Sequence, residues 1–337
     1  MDAFPLPARP DLERYRALAG ELAKARGEGR VRAWARDWLE ELASLLGQPV
    51  DDEQLERGSA HIERLVSAHG GDAEAVVAAL HAFDRWDGFT QHLAELADPA
   101  SATARFEAAA DAVVDGDLAR LAALLGDDPS LVRATSGRKS RATLLHYVAA
   151  NGVEDFRQRT PANIVDIARL LLDAGAEVDA PNADYGGGGT ALGLVASSIH
   201  PEEAGVQLAL MELLAARGAN LESQPSGWRP IDAAVANGCP DAAAWLAGRG
   251  ARVTLIAAAA LGRADDVARE LAAASPGDIE QAFVLACAYG RTRVAELFLD
   301  RCLDPRACPQ ALLRATEWGH VDVVTLLLAR GAEKPSS

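Results

Sequence analysis

The sequence predicts an all-α protein: a stack of repeated helical hairpins preceded by a separate helical segment. Three observations carry this. The stretch QALLRATEWGHVDVVTLLLARGA (310–332), a small-residue run, a glycine and a denser apolar run, has seven copies from about residue 105 onward. Four and three places before the glycine every residue is small: Ala112/Val113, Val148/Ala149, Val195/Ala196, Ala234/Val235, Ala258/Ala259, Ala286/Cys287 and Ala315/Thr316. Inner helices stacked about a helix diameter apart leave no room there for Leu or Phe. The residues before about 100 show helical apolar spacing and no strand alternation.

The N-terminal segment opens with Pro10-Asp11, a helix cap before LERYRALAGELAKA. Helical patterns continue through VRAWARDWLEELASLLG, DEQLERGSAHIERLVSAHG, AEAVVAALHAF and FTQHLAEL. The repeats come next. Their first helices read EAAADAVVDG, TLLHYVAANG, TALGLVASSI, RPIDAAVANG, TLIAAAALG, QAFVLACAYG and QALLRATEWG. Each is followed by a second apolar helix, as in NIVDIARLLLDAGA and HVDVVTLLLARGA. Glycines 116, 152, 238, 262, 290 and 319 are expected to end the first helices in a left-handed conformation, with Ser198 in that place in the third unit.

These elements resemble the ankyrin repeat. TLLHYVAANG is similar to that family's Thr-Pro-Leu-His start, with Leu144 in place of proline. GHVDVVTLLLARGA matches its second helix and closing Gly-Ala, which Gly175-Ala176, Gly218-Ala219 and Gly250-Ala251 repeat. The resemblance implies an ankyrin-type solenoid of about seven units over 101–337, with short hairpin fingers between them. It also implies that His146 holds neighbouring units together through hydrogen bonds. Residues 1–100 are read as a helical capping region, and the LPARPDLERYRALAGEL and RWDGFTQHLAEL segments resemble the leader of bacterial ankyrin-repeat proteins. Only 24 residues separate Gly238 from Gly262, against a family period of roughly 33, so the finger there is expected to be very short. Units five and six lack the Gly-Ala ending.

Composition narrows the function. The net charge of -16 argues against a nucleic-acid partner, since phosphate recognition needs a basic face. The longest apolar run, Leu255–Leu261, is too short for a membrane span. Four cysteines without a CxxC pair read as free buried thiols of a reducing cytoplasm. His61, His69, His81 and His92 lack metal-ligand spacing and read as scattered surface side chains. Gly186–Gly189 lacks the Lys-Ser/Thr of a phosphate loop and reads as a finger tip; GRKSR (137–141), the basic cluster, is expected to be a solvated hairpin tip. No catalytic constellation and no cofactor motif is visible.

Binding residues are expected on the concave face. The residue before the glycine runs Asp115, Asn151, Ser198, Asn237, Leu261, Tyr289, Trp318. The column five before it runs Asp111, Tyr147, Leu194, Ala233, Ala257, Leu285, Arg314. The drift toward large apolar side chains points to a protein partner held in the groove. The candidate site is therefore Asp111, Asp115, Tyr147, Asn151, Leu194, Asn237, Leu261, Tyr289, Arg314 and Trp318. An alternative reading is an enzyme or binder of a small apolar ligand, with a pocket between the groove and the N-terminal helices and Asp111 and Asp115 at one end. A third is self-association through the apolar final helix Val321 to Leu328. Two insertions, VEDFRQRTPAN (153–163) and IHPEEAGVQ (199–207), are expected to form neighbouring loops on one edge.

Overall fold

The computed structural model describes residues 3–7, 9–222 and 229–333; the closing Lys334–Ser337 of the EKPSS tail lies outside them. All named elements are helices, and the chain forms two compact units, Met1–Ala191 and Leu192–Ser337.

The first unit begins with α1 (Leu12–Gly27), α2 (Val31–Leu46), α3 (Asp52–Ala68), α4 (Ala73–Leu80) and α5 (Trp86–Leu96). The Asp11 carboxylate accepts the Glu13 amide at 3.0 Å, so the expected cap forms. Leu18, Leu22, Ile62, Val77, Leu80 and Phe89 make the buried core of these helices. The histidines here depart from expectation. His81 and His92 are buried; His81 stacks on Phe89 at 5.1 Å and its Nδ1 meets the Phe4 carbonyl at 2.9 Å. Burial pushes their pKa values down to about 3 and about 4, so both are neutral parts of the packing.

The first repeat is α6 (Ala102–Asp115) with α7 (Leu118–Asp127). In the second, a 3-10 helix, Leu144–Ala149, is followed by α8 (Ile164–Asp173). The glycine pattern carries that inner helix to Gly152, but it stops at Ala150, which takes a left-handed φ of 47°. The cause lies in the next segment: Val153, Glu154 and Arg157 turn inward and are buried, so the chain cannot continue on the helix path. Antiparallel bridges Thr135–Thr143 and Asn182–Gly189 stand where the ankyrin resemblance places fingers. His146 takes its structural place, Nδ1 receiving the Thr143 amide and Nε2 lying 2.9 Å from the Ala180 carbonyl.

The division between the units falls inside α9 (Ala191–Ala196). The second unit continues with α10 (Ile199–Glu203), α11 (Gln207–Ala216), α12 (Pro230–Ala236), α13 (Pro240–Gly248), α14 (Leu255–Ala260) and α15 (Ala264–Glu270). It closes with α16 (Pro276–Ala288), α17 (Thr292–Arg301), α18 (Pro309–Glu317) and α19 (Val321–Ala329). Inner helices α12, α14, α16 and α18 pack side by side, as do outer helices α15, α17 and α19. The short spacing after Gly238 leaves the α12–α13 and α14–α15 hairpins intact.

The small-residue column behaves as the stacking argument requires. Thirteen of its fourteen members are buried; the exception is Thr316, where no further hairpin occurs among the described residues. All six column glycines have positive φ. Gly290 is doubly constrained: at φ 67° an added Cβ would also lie 2.6 Å from His320 Nδ1. Ser198, lacking that conformation, starts α10, and the buried Gln207 amide donates to the Val195 and Ser198 carbonyls at the open end of α9. A tether unseen in the sequence recurs just after the glycine. Arg291 Nε donates to the Ala260 carbonyl at 2.8 Å, and His320 Nε2 meets the Ala288 carbonyl at 2.8 Å. Each reaches the same place on the preceding inner helix.

Cys239, Cys287 and Cys308 are buried as expected, but Cys302 is exposed.

Candidate functional site

Four of the ten predicted positions converge in the second unit. Asn237, Tyr289, Arg314 and Trp318 line an open groove of about 650 Å³ across the inner helices α12, α16 and α18. Equivalent positions of three hairpins meet here because the repeats stack in register. Val284, Leu285 and Ala288 make a half-buried apolar floor, and the rim residues are exposed. The Tyr289 hydroxyl donates to the Val235 carbonyl at 2.6 Å, which fixes the ring against α12, two hairpins earlier. Burial pushes that phenol up to about 12, so it stays a donor at neutral pH. Trp318 is 60% exposed and forms the free wall. The Asn237 amide donates to Ala233 at 2.9 Å, and Arg314 pairs with Glu317 at 3.2 Å. Leu261 is half-buried outside this lining.

The remaining positions lie outside this groove, and two of them require correction. Tyr147 and Leu194 are fully buried, and no partner can reach them. The Arg157 guanidinium lies over the Tyr147 ring at 5.7 Å, and Phe106 packs against it at 6.3 Å. Leu194 sits on α9 among the equally buried Leu192, Val195 and Ala196. Asp111 and Asp115 are engaged as well: Asp111 accepts from Arg157 at 2.7 Å and Asp115 pairs with Arg159. Asn151 accepts the Tyr185 hydroxyl at 2.7 Å.

The first unit thus uses its insertion differently from an exposed binding loop. Arg138, Arg157, Glu107 and Glu154 form a buried ion cluster. Glu107 lies 3.1 Å from Arg138 and 2.9 Å from Arg157; Glu154 lies 3.7 Å and 3.6 Å from the same two guanidiniums. Arg138 also donates to the His81 carbonyl at 2.8 Å and stands over the Phe83 and Phe156 rings. Burial alone would raise the Glu107 pKa, but Arg138 and Arg157 hold it far below the usual carboxylate range. Single-residue patterns could not show this, because partners lie 31 and 50 residues apart. Glu154 and Arg157, expected on an exposed loop, and Arg138, expected in a solvated turn, are all interior. In the second insertion, His200 and Glu202 belong to the short helix α10, and its Gln207 is the buried cap of α9. Among the described residues no cluster of metal-ligating side chains occurs, and no helix is long and apolar enough to cross a membrane.

No family model matches this chain, and no curated protein matches it. Among solved structures it is similar to the crystal structure of the human ASB11 ankyrin repeat domain, at 20% identity and a TM-score of 0.42, over 68% of this chain and 99% of that one.

Proposed function

We propose that this protein is an interaction module that holds a polypeptide partner in the groove of its second unit. One observation carries the reading: Trp318, 60% exposed, stands beside an apolar floor whose other aromatic, Tyr289, is already fixed in place. Covering that indole is worth about 3 kcal/mol at roughly 25 cal/mol per Å². A rigid aromatic anchor set among weaker contacts is how interfaces concentrate binding energy.

The helices of residues 1–100 act as a cap in this proposal. Support comes from α5 packing on α6, from Arg138 reaching the His81 carbonyl, and from the Lys139 amide donating to Ala82 at 2.7 Å. The four thiols without disulfides fit a reducing cytoplasm, and the leader-like N-terminal segment fits a bacterial source. The enzyme or small-molecule alternative rested on the apolar groove and the acidic pair Asp111 and Asp115, and both of those carboxylates pair with arginines.

The test is affinity capture from the native cell with wild type, Trp318→Ala, and Trp318→Ala plus Tyr289→Ala side by side. The single variant, which leaves the Tyr289 tether intact, is expected to melt like wild type. A specific partner should be lost from both variants. If both retain every partner, the groove is not the binding site.

A further inference from the structure

The groove's residues state what kind of segment it accepts. Its charged lining residues are Glu280 and Arg314. Arg314 is committed to Glu317 at 3.2 Å, whereas Glu280 is exposed and has no ion-pair or hydrogen-bond partner among the described residues. The uncompensated charge of the groove is therefore negative. Gln281 and Gln310 add exposed carboxamides with no partner among the described residues, and Asn237 uses its amide nitrogen locally but not its oxygen. A carboxamide both donates and accepts, which suits the alternating N–H and C=O groups of an extended main chain. The apolar floor and the exposed Trp318 ring ask for a bulky apolar side chain. A small ligand is a poorer fit, since such sites enclose most of the ligand's surface and these rim residues all face solvent.

We propose that the occupant is an extended polypeptide segment with a large aliphatic or aromatic residue against Trp318 and a lysine or arginine at Glu280. This rests on the reading of the groove as an interaction site and specifies its partner. Charge at an exposed rim selects partners and steers encounter more than it adds affinity.

The test is display selection of random dodecapeptides on the immobilised full chain, repeated with Trp318→Ala and Glu280→Arg. The expected outcome is enrichment of peptides pairing a bulky apolar residue with a nearby lysine or arginine. Trp318→Ala should weaken them on the order of tenfold. Glu280→Arg, a rim change that leaves the floor intact, should shift the selected charge from basic to acidic. If enrichment depends on Trp318 but shows no basic preference, or survives Glu280→Arg unchanged, the charge rule falls and the groove reading stands. No Trp318-dependent enrichment sinks both. Sedimentation that finds self-association abolished by Trp318→Ala would make a second copy the occupant and overturn the proposal.

Discussion

The two units solve the same packing problem with different interiors. The first buries Arg138, Arg157, Glu107 and Glu154 together with His81, His92 and His146; the second, among its described residues, buries Ser197, Ser198 and Gln207 but no charged side chain. Backbone strain divides the same way. Among the described residues, the non-glycine residues with positive φ, Ala82, Arg141, Ala150 and Tyr185, all belong to the first unit, while the left-handed positions of the second are glycines. The first unit also carries 32 acidic and 20 basic side chains, against 17 and 13 in the second. Regular repeats stack on small residues and glycines, with a recurring side-chain tether to a backbone carbonyl. A hairpin with an insertion needs specific polar partners to hold the extra chain inside.

Acid should separate the units most strongly. The folded-state pKa values of His81, His92 and His146 are lowered to about 3, 4 and 4, below an unfolded value of 6.5. Each contribution is complete above the unfolded value and is lost as pH falls toward the folded one. Unfolding then takes up a proton per histidine, costing about 1.4 kcal/mol per pH unit each, or about 4 kcal/mol per pH unit for three. The depressed Glu107 carboxylate adds its own loss only below the ordinary carboxylate range. Hydrogen exchange between about pH 6 and pH 4.5 should show the first unit losing protection well before the second; equal loss in both would erase the contrast.

Next in size is Glu107→Ala. It leaves two buried guanidiniums short of a carboxylate, a change that costs about 3–5 kcal/mol for a buried pair. Denaturant melts read by hydrogen exchange should place the loss in the first unit. Ala258→Leu is the corresponding insult to the second: its methyl is fully buried in the stacking column, and overpacking should cost about 1–3 kcal/mol. An unchanged melting point would contradict the stacking geometry. The smallest effect is a gain. Arg141 is exposed at φ 51°. Relief of left-handed strain, set against the extra chain entropy of glycine, gives Arg141→Gly a net stabilisation of about 0.5 kcal/mol. A drop in melting temperature would show that the arginine side chain holds this turn.

Legibility in the sequence divides along the same line. Gly290, Ala258/Ala259 and Trp318 recur at fixed offsets, and local geometry forces such residues wherever hairpins stack. Asn237, Tyr289, Arg314 and Trp318 can therefore be placed on one face from repeat spacing alone, although the groove remains a proposed site. Tyr147 misleads because its column is concave only where nothing covers it; the Phe156–Arg157 turn fills that space in the second repeat. The ion cluster is illegible for a different reason. Charged residues default to solvent, and only the folded chain shows Arg138 beside Glu107 and Glu154.

Arg138 has a consequence for how such a chain can be remodelled. Its guanidinium contacts the His81 carbonyl from the N-terminal helices, Glu107 from the first repeat and Glu154 from the insertion. A cut or graft at residue 100 would take the His81 carbonyl and the Phe83 ring away from Arg138 and uncover one side of the ion cluster. Shuffling hairpins within the second unit asks for matching small side chains and a side chain that reaches the preceding helix's carbonyl, as Arg291 and His320 do, so recombination should succeed there and fail at residue 100.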